Sequence, residues 1–354
     1  MILINKKKYY ISILLGIIFF IQFSCSKKTD NVTQLVTSDN YNMTIPLGLG
    51  QMNIPSDNQL TNKGVSLGKM LFYDPILSGN NKMACASCHL QNYAFTDSSN
   101  ALSEGIDGKI GTRNAMPLFN LGYATQFFWD GGAKDLESQV VGPIQNPVEM
   151  HQNLAEAITE LNQSTKYPKL FSDAFGTTPI TTLQLMKAIA QFERTLLSAN
   201  TKYDKYKAGQ QTLTQEELNG LAIFTNPQKG DCNHCHTLGG TFTDFEYRNN
   251  GLDSISNDKG RALITLKEFD NGKFKTPTVR NLKFTAPYMH DGRFKTLEEV
   301  VQHYNVGFKY PANLDTNLKF AKKGRISPQE EKDLITFLNT LNDESLTKNP
   351  NFKK

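Results

Sequence analysis

The chain has 354 residues, about two ordinary domains' worth. Its 39% apolar and 20% charged residues exclude a disordered chain, a fibrous repeat and a multi-span membrane protein. The formal charge is +4, but Lys6, Lys7 and Lys8 carry three of those charges and no acid precedes Asp30. The chain beyond residue 24 is therefore close to neutral, and the basic balance gives no argument for a nucleic-acid partner.

Residues 1–24 read as a lipoprotein-type signal peptide. Lys6 to Lys8 form a positive n-region, and Ile11 to Ile21 form an apolar h-region, too short for a spanning helix of about 20 residues. Phe23-Ser24-Cys25 then resembles a bacterial lipobox, with Cys25 as the lipidated first residue, although Gln22 stands where an aliphatic residue is usual. An ordinary signal peptide with an incidental cysteine is the alternative. Either way the mature chain is expected in the periplasm, and with the lipobox it is anchored to a membrane through Cys25. Residues 25–44 are polar, lack a helical period and read as a flexible tether.

The other four cysteines fall in two identical frames, Cys85-Ala86-Ser87-Cys88-His89 and Cys232-Asn233-His234-Cys235-His236. C-x-x-C-H attaches c-type haem: two thiols add to the two vinyl groups, and the adjacent histidine turns under the ring to ligate iron. A zinc centre is the alternative and needs both frames to converge on one ion. No cysteine is left over for a disulfide. His234 reads as a solvated spacer. A short apolar segment precedes each frame, Gly68 to Phe72 and Gly220 to Phe224. An aromatic-Thr-Asp sequence follows each, Phe95-Thr96-Asp97 and Phe242-Thr243-Asp244. This internal duplication predicts a mainly α fold of two cytochrome c-like domains, 45–205 and 206–345, each wrapping one covalent haem with long loops.

Leu154, Ile158 and Leu161 recur at helical spacing, and Leu185 to Leu197 is a longer helix without a breaker. Thr214 with Glu217 forms a capping box that opens a helix to Phe224. Ser327 with Glu330 forms another, with Pro328 at the first helical position, opening a terminal helix to about Leu341. Strand patterns are nearly absent. The polar stretch Lys202 to Gln211 carries the domain boundary, and a haem gives the long Gly-, Asn- and Pro-rich loops a surface to wrap.

Several blocks in order resemble the bacterial dihaem cytochrome c peroxidase family over about residues 60–342. They are Leu67 to Phe72 with Asp74-Pro75, the first frame, Phe128-Trp129-Asp130-Gly131, and Gly142 to Met150. Asn250-Gly251-Leu252, Tyr288-Met289-His290-Asp291-Gly292 and Thr296 to Val300 come after them. A peroxidatic haem needs an open iron face and an acid–base group above it. The resemblance gives that role to Glu149, with Gln139 and Pro143 lining the same pocket. On the residues alone Glu149 reads as an N-terminal acid of the helix over His151 to Leu161. Many family members carry a distal histidine after the first frame. Gln91 to Met150 contains none, so the first iron is expected to be open without prior reduction, with His151 the nearest substitute.

Beyond the second frame, His236 is the proximal ligand, and Met289, His303 and Tyr304 are candidates for the other side. Leu297, Val300, Val301 and Tyr304 share one helical face, which turns Tyr304 inward and His303 toward the edge. The resemblance agrees, since a subgroup similar to the methylamine-utilisation dihaem enzyme has Tyr there, with Met289 as the fallback. A buried tyrosine with a satisfied hydroxyl is the plain alternative. A Met ligand would raise the haem potential, and a phenolate would lower it. His290 would hold a propionate or a carbonyl. Trp129, the only Trp, is placed by resemblance between the haems, where it can carry an electron, and is otherwise a core aromatic. The resemblance also implies a calcium ion on the Asn114 side chain and the Thr285 and Pro287 carbonyls.

The implied function is an exported peroxidase that reduces hydrogen peroxide with electrons from a small c-type cytochrome or a copper protein, with a homodimer among its open assemblies. A methylamine-utilisation-type oxidase of a partner protein is the enzymatic rival. Its protein-oxidising Trp, two residues before the second frame, is Gly230 here. A dihaem electron carrier is the non-enzymatic rival.

Overall fold

The computed structural model describes residues 39–46 and 48–354, and residues 39–354 form one compact unit. The expected signal peptide, Cys25 and most of the expected tether lie outside the described residues. The fold is mainly helical. Among the described residues one ladder pairs Tyr247–Arg248 antiparallel with Phe274–Lys275, and long loops connect the helices.

Two helix crossings organise the two halves. In the first, Asn62–Tyr73, capped by Thr61, crosses Thr182–Arg194. In the second, Gln215–Thr225 crosses Pro328–Asn339. Each crossing is made close by one glycine. A Cβ at Gly68 would overlap the Ala188 carbonyl oxygen and lie 3.0 Å from Phe192 Cβ. A Cβ at Gly220 would overlap the Asp333 carbonyl oxygen and lie 2.6 Å from Phe337 Cβ. Four residues after each glycine a phenylalanine packs on the partner helix. The Phe72–Phe192 and Phe224–Phe337 ring centroids are both 5.3 Å apart.

Both expected capping boxes form, at Thr214–Glu217 and at Ser327–Glu330 with Pro328 in the first turn. The helix expected over Leu185 to Leu197 runs instead from Thr182 to Arg194. A third box, Thr181–Gln184, opens it earlier, and the Thr195 hydroxyl closes it by donating to the Phe192 carbonyl at 2.7 Å. The polar stretch after Lys202 opens on a helix, Lys202–Lys207. It is tied to the second half: Tyr203 meets Phe242 and Phe337 edge-on, and Asp204 takes both Nη atoms of the fully buried Arg280 at 2.8 Å.

Leu67, Leu71, Leu161, Phe171 and Ile189 anchor one core, and Phe224, Phe242, Phe337 and Leu341 another. A third core lies beside the first frame. The chain end returns to it, with Leu346 and Phe352 packed with Phe72, Phe95 and Phe192.

The duplication continues through the loops. Asn120 and Asn281 both have positive φ, and their N–H groups bond the carbonyls of Leu196 and Leu341. Thr96 donates to the Ala115 carbonyl at 2.7 Å, as Thr243 does to that of Thr276 at 2.6 Å. Antiparallel bridges close Phe127 on Ala133 and Tyr288 on Phe294. Inside those bridges Phe128 and Met289 both have positive φ. Asp135 and Thr296 then cap the short helices that begin at Leu136 and Leu297.

Candidate active site

Each frame presents its histidine in the same way. His89 Nδ1 lies 2.9 Å from the Phe95 carbonyl oxygen, and His236 Nδ1 lies 3.0 Å from that of Pro277. A carbonyl only accepts, so Nδ1 carries the proton and Nε2 keeps its lone pair, the tautomer a metal-ligating histidine needs. Burial lowers the pKa of both, that of His236 to about 4, which keeps the imidazoles neutral. Burial pushes the Cys85 and Cys232 thiols up to about 12 and those of Cys88 and Cys235 up to about 11. Among the described residues no three His, Cys, Asp or Glu side chains gather as a metal site, so the frames do not converge as a zinc centre requires. The residues present fit two c-type haems. His234 is exposed.

The second frame opens onto a cavity lined by Cys232, Cys235, His236, Met289, His290 and Tyr304. Tyr304 does not continue an α-helix. Leu297–Gln302 passes into a π-turn over His303–Gly307, a feature that recurs at functional sites. The change of pitch turns His303 inward, contrary to its expected place at the helix edge: it is 5% exposed, and its Nε2 lies 3.1 Å from the Asn250 carbonyl. Asn250 also faces the two other candidates. Its Nδ2 donates to Tyr304 Oη at 3.2 Å and reaches Met289 Sδ at 3.5 Å. Burial raises the Tyr304 phenol to about 12, and the Asn250 bond acts in the opposite direction. His290 stacks on Phe274, with centroids 3.6 Å apart. The Asn250-Gly251-Leu252 block is visible in the sequence, but the place of its amide between Met289 and Tyr304 is not.

The duplication shows what the first half offers at the same positions. In the offset that pairs Asn120 with Asn281 and Leu136 with Leu297, Phe128 stands for Met289, Trp129 for His290 and Pro143 for Tyr304. The Phe128 ring lies against Gly142, so that a Cβ there would sit 2.7 Å from Phe128 Cζ, one residue from Pro143. Neither phenylalanine nor proline has a side-chain donor atom for iron.

Glu149 lies in a turn, five residues before the Leu154–Gln163 helix, whose cap is Asn153 and whose first-turn acid is Glu156. It is therefore not the N-terminal acid of that helix. The turn folds back on the Val141–Gln145 helix through Met150 N–H to the Pro143 carbonyl at 3.1 Å. Glu149 Oε1 accepts from Asn146 Nδ2 at 2.6 Å. Burial raises the carboxyl above its ordinary range, partly offset by that bond. Burial is also the main cause of the raised Cys85 and Cys88 thiols, and the Glu149 carboxylate adds to it, which sets Glu149 near the first frame. Gln139 ends the Leu136–Gln139 turn and precedes Pro143 by about one helical turn.

The loop that lacks a histidine is closed over this turn, with Ile106 N–H bonded to the Glu149 carbonyl at 2.9 Å. His151 is half exposed and pairs with Asp107 at 2.7 Å. Glu193, unremarked in the sequence, is 4% exposed. Burial raises its pKa to about 8, and its Oε2 has no hydrogen-bond partner.

Trp129, though in the first half, lines the second-frame cavity, and its Nε1 donates to the Asn114 carbonyl at 2.9 Å. Its loop is clamped by Arg113, which pairs with Asp130 at 2.6 Å and holds Asp258 through two nitrogens at 2.6 and 2.8 Å. Asn114, Thr285 and Pro287 line the same cavity. Asn114 Nδ2 donates to the Ala101 carbonyl at 3.0 Å, which leaves Oδ1 for another partner.

Two covalent-haem frames in a duplicated helical fold define a dihaem c-type protein, and comparisons narrow the class. The di-haem cytochrome c peroxidase family model matches residues 62–212. The chain is 33% identical over 293 residues to methylamine utilization protein MauG of Methylophilus methylotrophus, covering 82% of this chain and 86% of that protein. It is 34% identical over 295 residues to cytochrome c551 peroxidase of Nitrosomonas europaea, covering 81% of each. A solved structure of a MauG-like protein associated with microbial copper homeostasis is 32% identical with a TM-score of 0.82, covering 88% of this chain and 99% of that one. The chain belongs to the di-haem cytochrome c peroxidase family. Among the described residues no helix is long and apolar enough to cross a membrane.

Proposed function

We propose that this protein is an exported dihaem peroxidase that reduces hydrogen peroxide to two waters, using two electrons from a small c-type cytochrome or copper protein and two protons. The observation that carries this reading is the asymmetry of the duplication. Where the second half offers Tyr304 and Met289, the first half offers Pro143 and Phe128, with the half-buried carboxyl of Glu149 in the turn that folds back on Pro143. A haem bound at the first frame would supply the redox chemistry. Glu149 accepts the peroxide proton at its carboxyl and returns it to the departing oxygen, while the Asn146 amide fixes its orientation. Gln139 and Pro143 border the pocket, and the 104–110 loop is held to the turn by Ile106 N–H on the Glu149 carbonyl.

His89 and His236 would each hold one iron, and Tyr304 would be a further ligand at the second site, with Asn250 donating to its oxygen. Trp129 conducts between the halves. Asn114 Oδ1 with the Thr285 and Pro287 carbonyls suits a calcium ion. A lipid on Cys25 tethers the mature chain in the periplasm, and the two halves each serve one haem, with the Lys202–Lys207 helix belonging to the second.

Tyr304 and the absence of histidine from Gln91 to Met150 also favour a second reading, a MauG-like oxidase of a partner protein. Gly230 speaks against it. A side chain there would meet the Ile223 carbonyl at 2.6 Å and Cys232 Sγ at 3.3 Å, so the position has no room for an indole.

The test is Glu149→Gln. Both haems should remain by pyridine haemochrome titration, while steady-state peroxide turnover falls by about 10²- to 10⁴-fold, the contribution usual for a positioned acid–base group. Turnover within about threefold of wild type, well below that range, would make Glu149 structural.

A further inference from the structure

We infer that the outer face of residues 303–326 is the docking surface for an acidic redox protein that feeds electrons to the second haem. The inference rests on the peroxidase reading and names its donor's chemistry. This segment contains Lys309, Lys319, Lys322, Lys323 and Arg325 against a single acid, Asp315. The segment alone carries a formal +4, whereas the chain beyond residue 24 is close to neutral, so the remainder of that chain is slightly acidic.

Asp315 does not neutralise the surface. It caps the Thr316–Phe320 helix, lies 3.3 Å from Arg248 and lines the second-frame cavity. Lys309, Lys319 and Lys322 are exposed and have no acid partner among the described residues. Lys323 lies over the Phe308 and Tyr310 rings. The flanking acids are engaged elsewhere, Glu330 by Lys229 and Glu331 by Gln302 and Asn305.

Between these cations the surface is apolar. Phe320 is 77% exposed, Tyr310 58% and Val306 43%. Exposed aromatics interspersed with like charges are suited to a short-lived contact: the charge steers the encounter, and small apolar side chains exclude water without making a tight complex. The segment is also one chain layer thick over the second site. Tyr304, Asn317, Leu318 and Arg325 line the cavity, while Lys319 and Phe320, next in sequence, face outward. A protein seated here is separated from the second-frame cavity by that one layer of chain. Charge complementarity selects an acidic partner. A basic cytochrome would be repelled.

The test uses ferric holoenzyme and redox-inert probes, so that it reads docking and not turnover: cadmium-substituted acidic plastocyanin and zinc-substituted basic mitochondrial-type cytochrome c, each followed by NMR line broadening. Plastocyanin should bind at low salt and weaken by about tenfold or more as the Debye length falls from about 30 Å to about 8 Å. The Lys319→Glu/Lys322→Glu double variant should lose that binding by a similar factor, and Phe320→Ser should weaken it without changing its salt dependence. Lys63→Glu/Lys82→Glu, the same charge change at exposed positions of the first half, should bind as wild type. Preference for the basic cytochrome, or equal losses in both double variants, overturns the inference. Peroxide turnover with hydroquinone, a neutral reductant, should be unchanged in every variant. If the wild type fails in that assay while the docking pattern holds, the peroxidase reading fails and the docking surface stands.

Discussion

Alanine at the two crossing glycines tests whether the duplicated helix pairs set the fold. At Gly68 the obstacle to a methyl group is the Ala188 carbonyl, a backbone atom that no rotamer change can move, with Phe192 Cβ 3.0 Å away. The helices must part, and overpacking of this kind costs about 3 kcal/mol, the upper end of its usual range. Replacing glycine inside a helix returns about 1 kcal/mol, which leaves a net loss of about 2 kcal/mol. With a guanidinium m-value of about 5 kcal/mol per molar, the unfolding midpoint should fall by about 0.4 M. Gly220→Ala meets the Asp333 carbonyl and, at 2.6 Å, Phe337 Cβ, so it should lose at least as much. Ser66→Ala, exposed on the same helix as Gly68, is the control and should stay within about 0.5 kcal/mol. Denaturation of the holoprotein followed by far-ultraviolet circular dichroism measures all three. A glycine variant at or above the wild-type midpoint would refute the close-crossing argument for its half.

Burial raises the Glu149 carboxyl, so the acid limb of kcat/KM for peroxide should lie above the ordinary value of 4.5 and should vanish in Glu149→Gln. Glu193 binds its proton more tightly folded than unfolded. Stability from this group is thus full below about pH 4.5 and declines as pH rises toward about 8. Glu193→Gln should flatten that decline, and a guanidinium midpoint comparison at pH 5 and pH 8.5 would show it or reject it. Asn250→Leu removes the donor to Tyr304. The phenolate then loses support, so the second haem's tyrosinate spectrum should give way to the protonated form at a higher pH than in wild type. An unchanged titration would leave Asn250 without influence on that oxygen.

The parts of this protein that sequence reading reaches are those in which chemistry fixes spacing. Cys85 to His89 and Cys232 to His236 are legible because two vinyl groups and one iron dictate the frame. The Thr214 and Ser327 capping boxes are legible because two side chains answer two backbone groups within one turn. Helix limits differ from the apolar pattern where a further box extends the helix, as at Thr181–Gln184, or where a hydroxyl ends it, as at Thr195.

The duplication around Asn120 and Asn281 is harder to read, because most side chains changed identity. Phe128 answers Met289, Trp129 answers His290 and Pro143 answers Tyr304. What persists is positive φ, a bridge and a cap, which composition does not display. A 3.6-residue period puts His303 at a helix edge, but the segment it is carried through turns as a π-helix. Asn250 and Glu193 have meaning only through what the fold brings beside them.

The central claim is that the two halves differ in what they offer the iron: Tyr304 at the second site, and no ligand from Pro143 or Phe128 at the first. Electron paramagnetic resonance of the fully ferric holoprotein tests it most directly. A high-spin signal from an open first haem should appear beside a low-spin signal from the second, and Tyr304→Phe should alter only the latter. Two low-spin signals in the resting protein, with no high-spin component until one haem is reduced, would contradict the account and return the first site to a ligand that must be released.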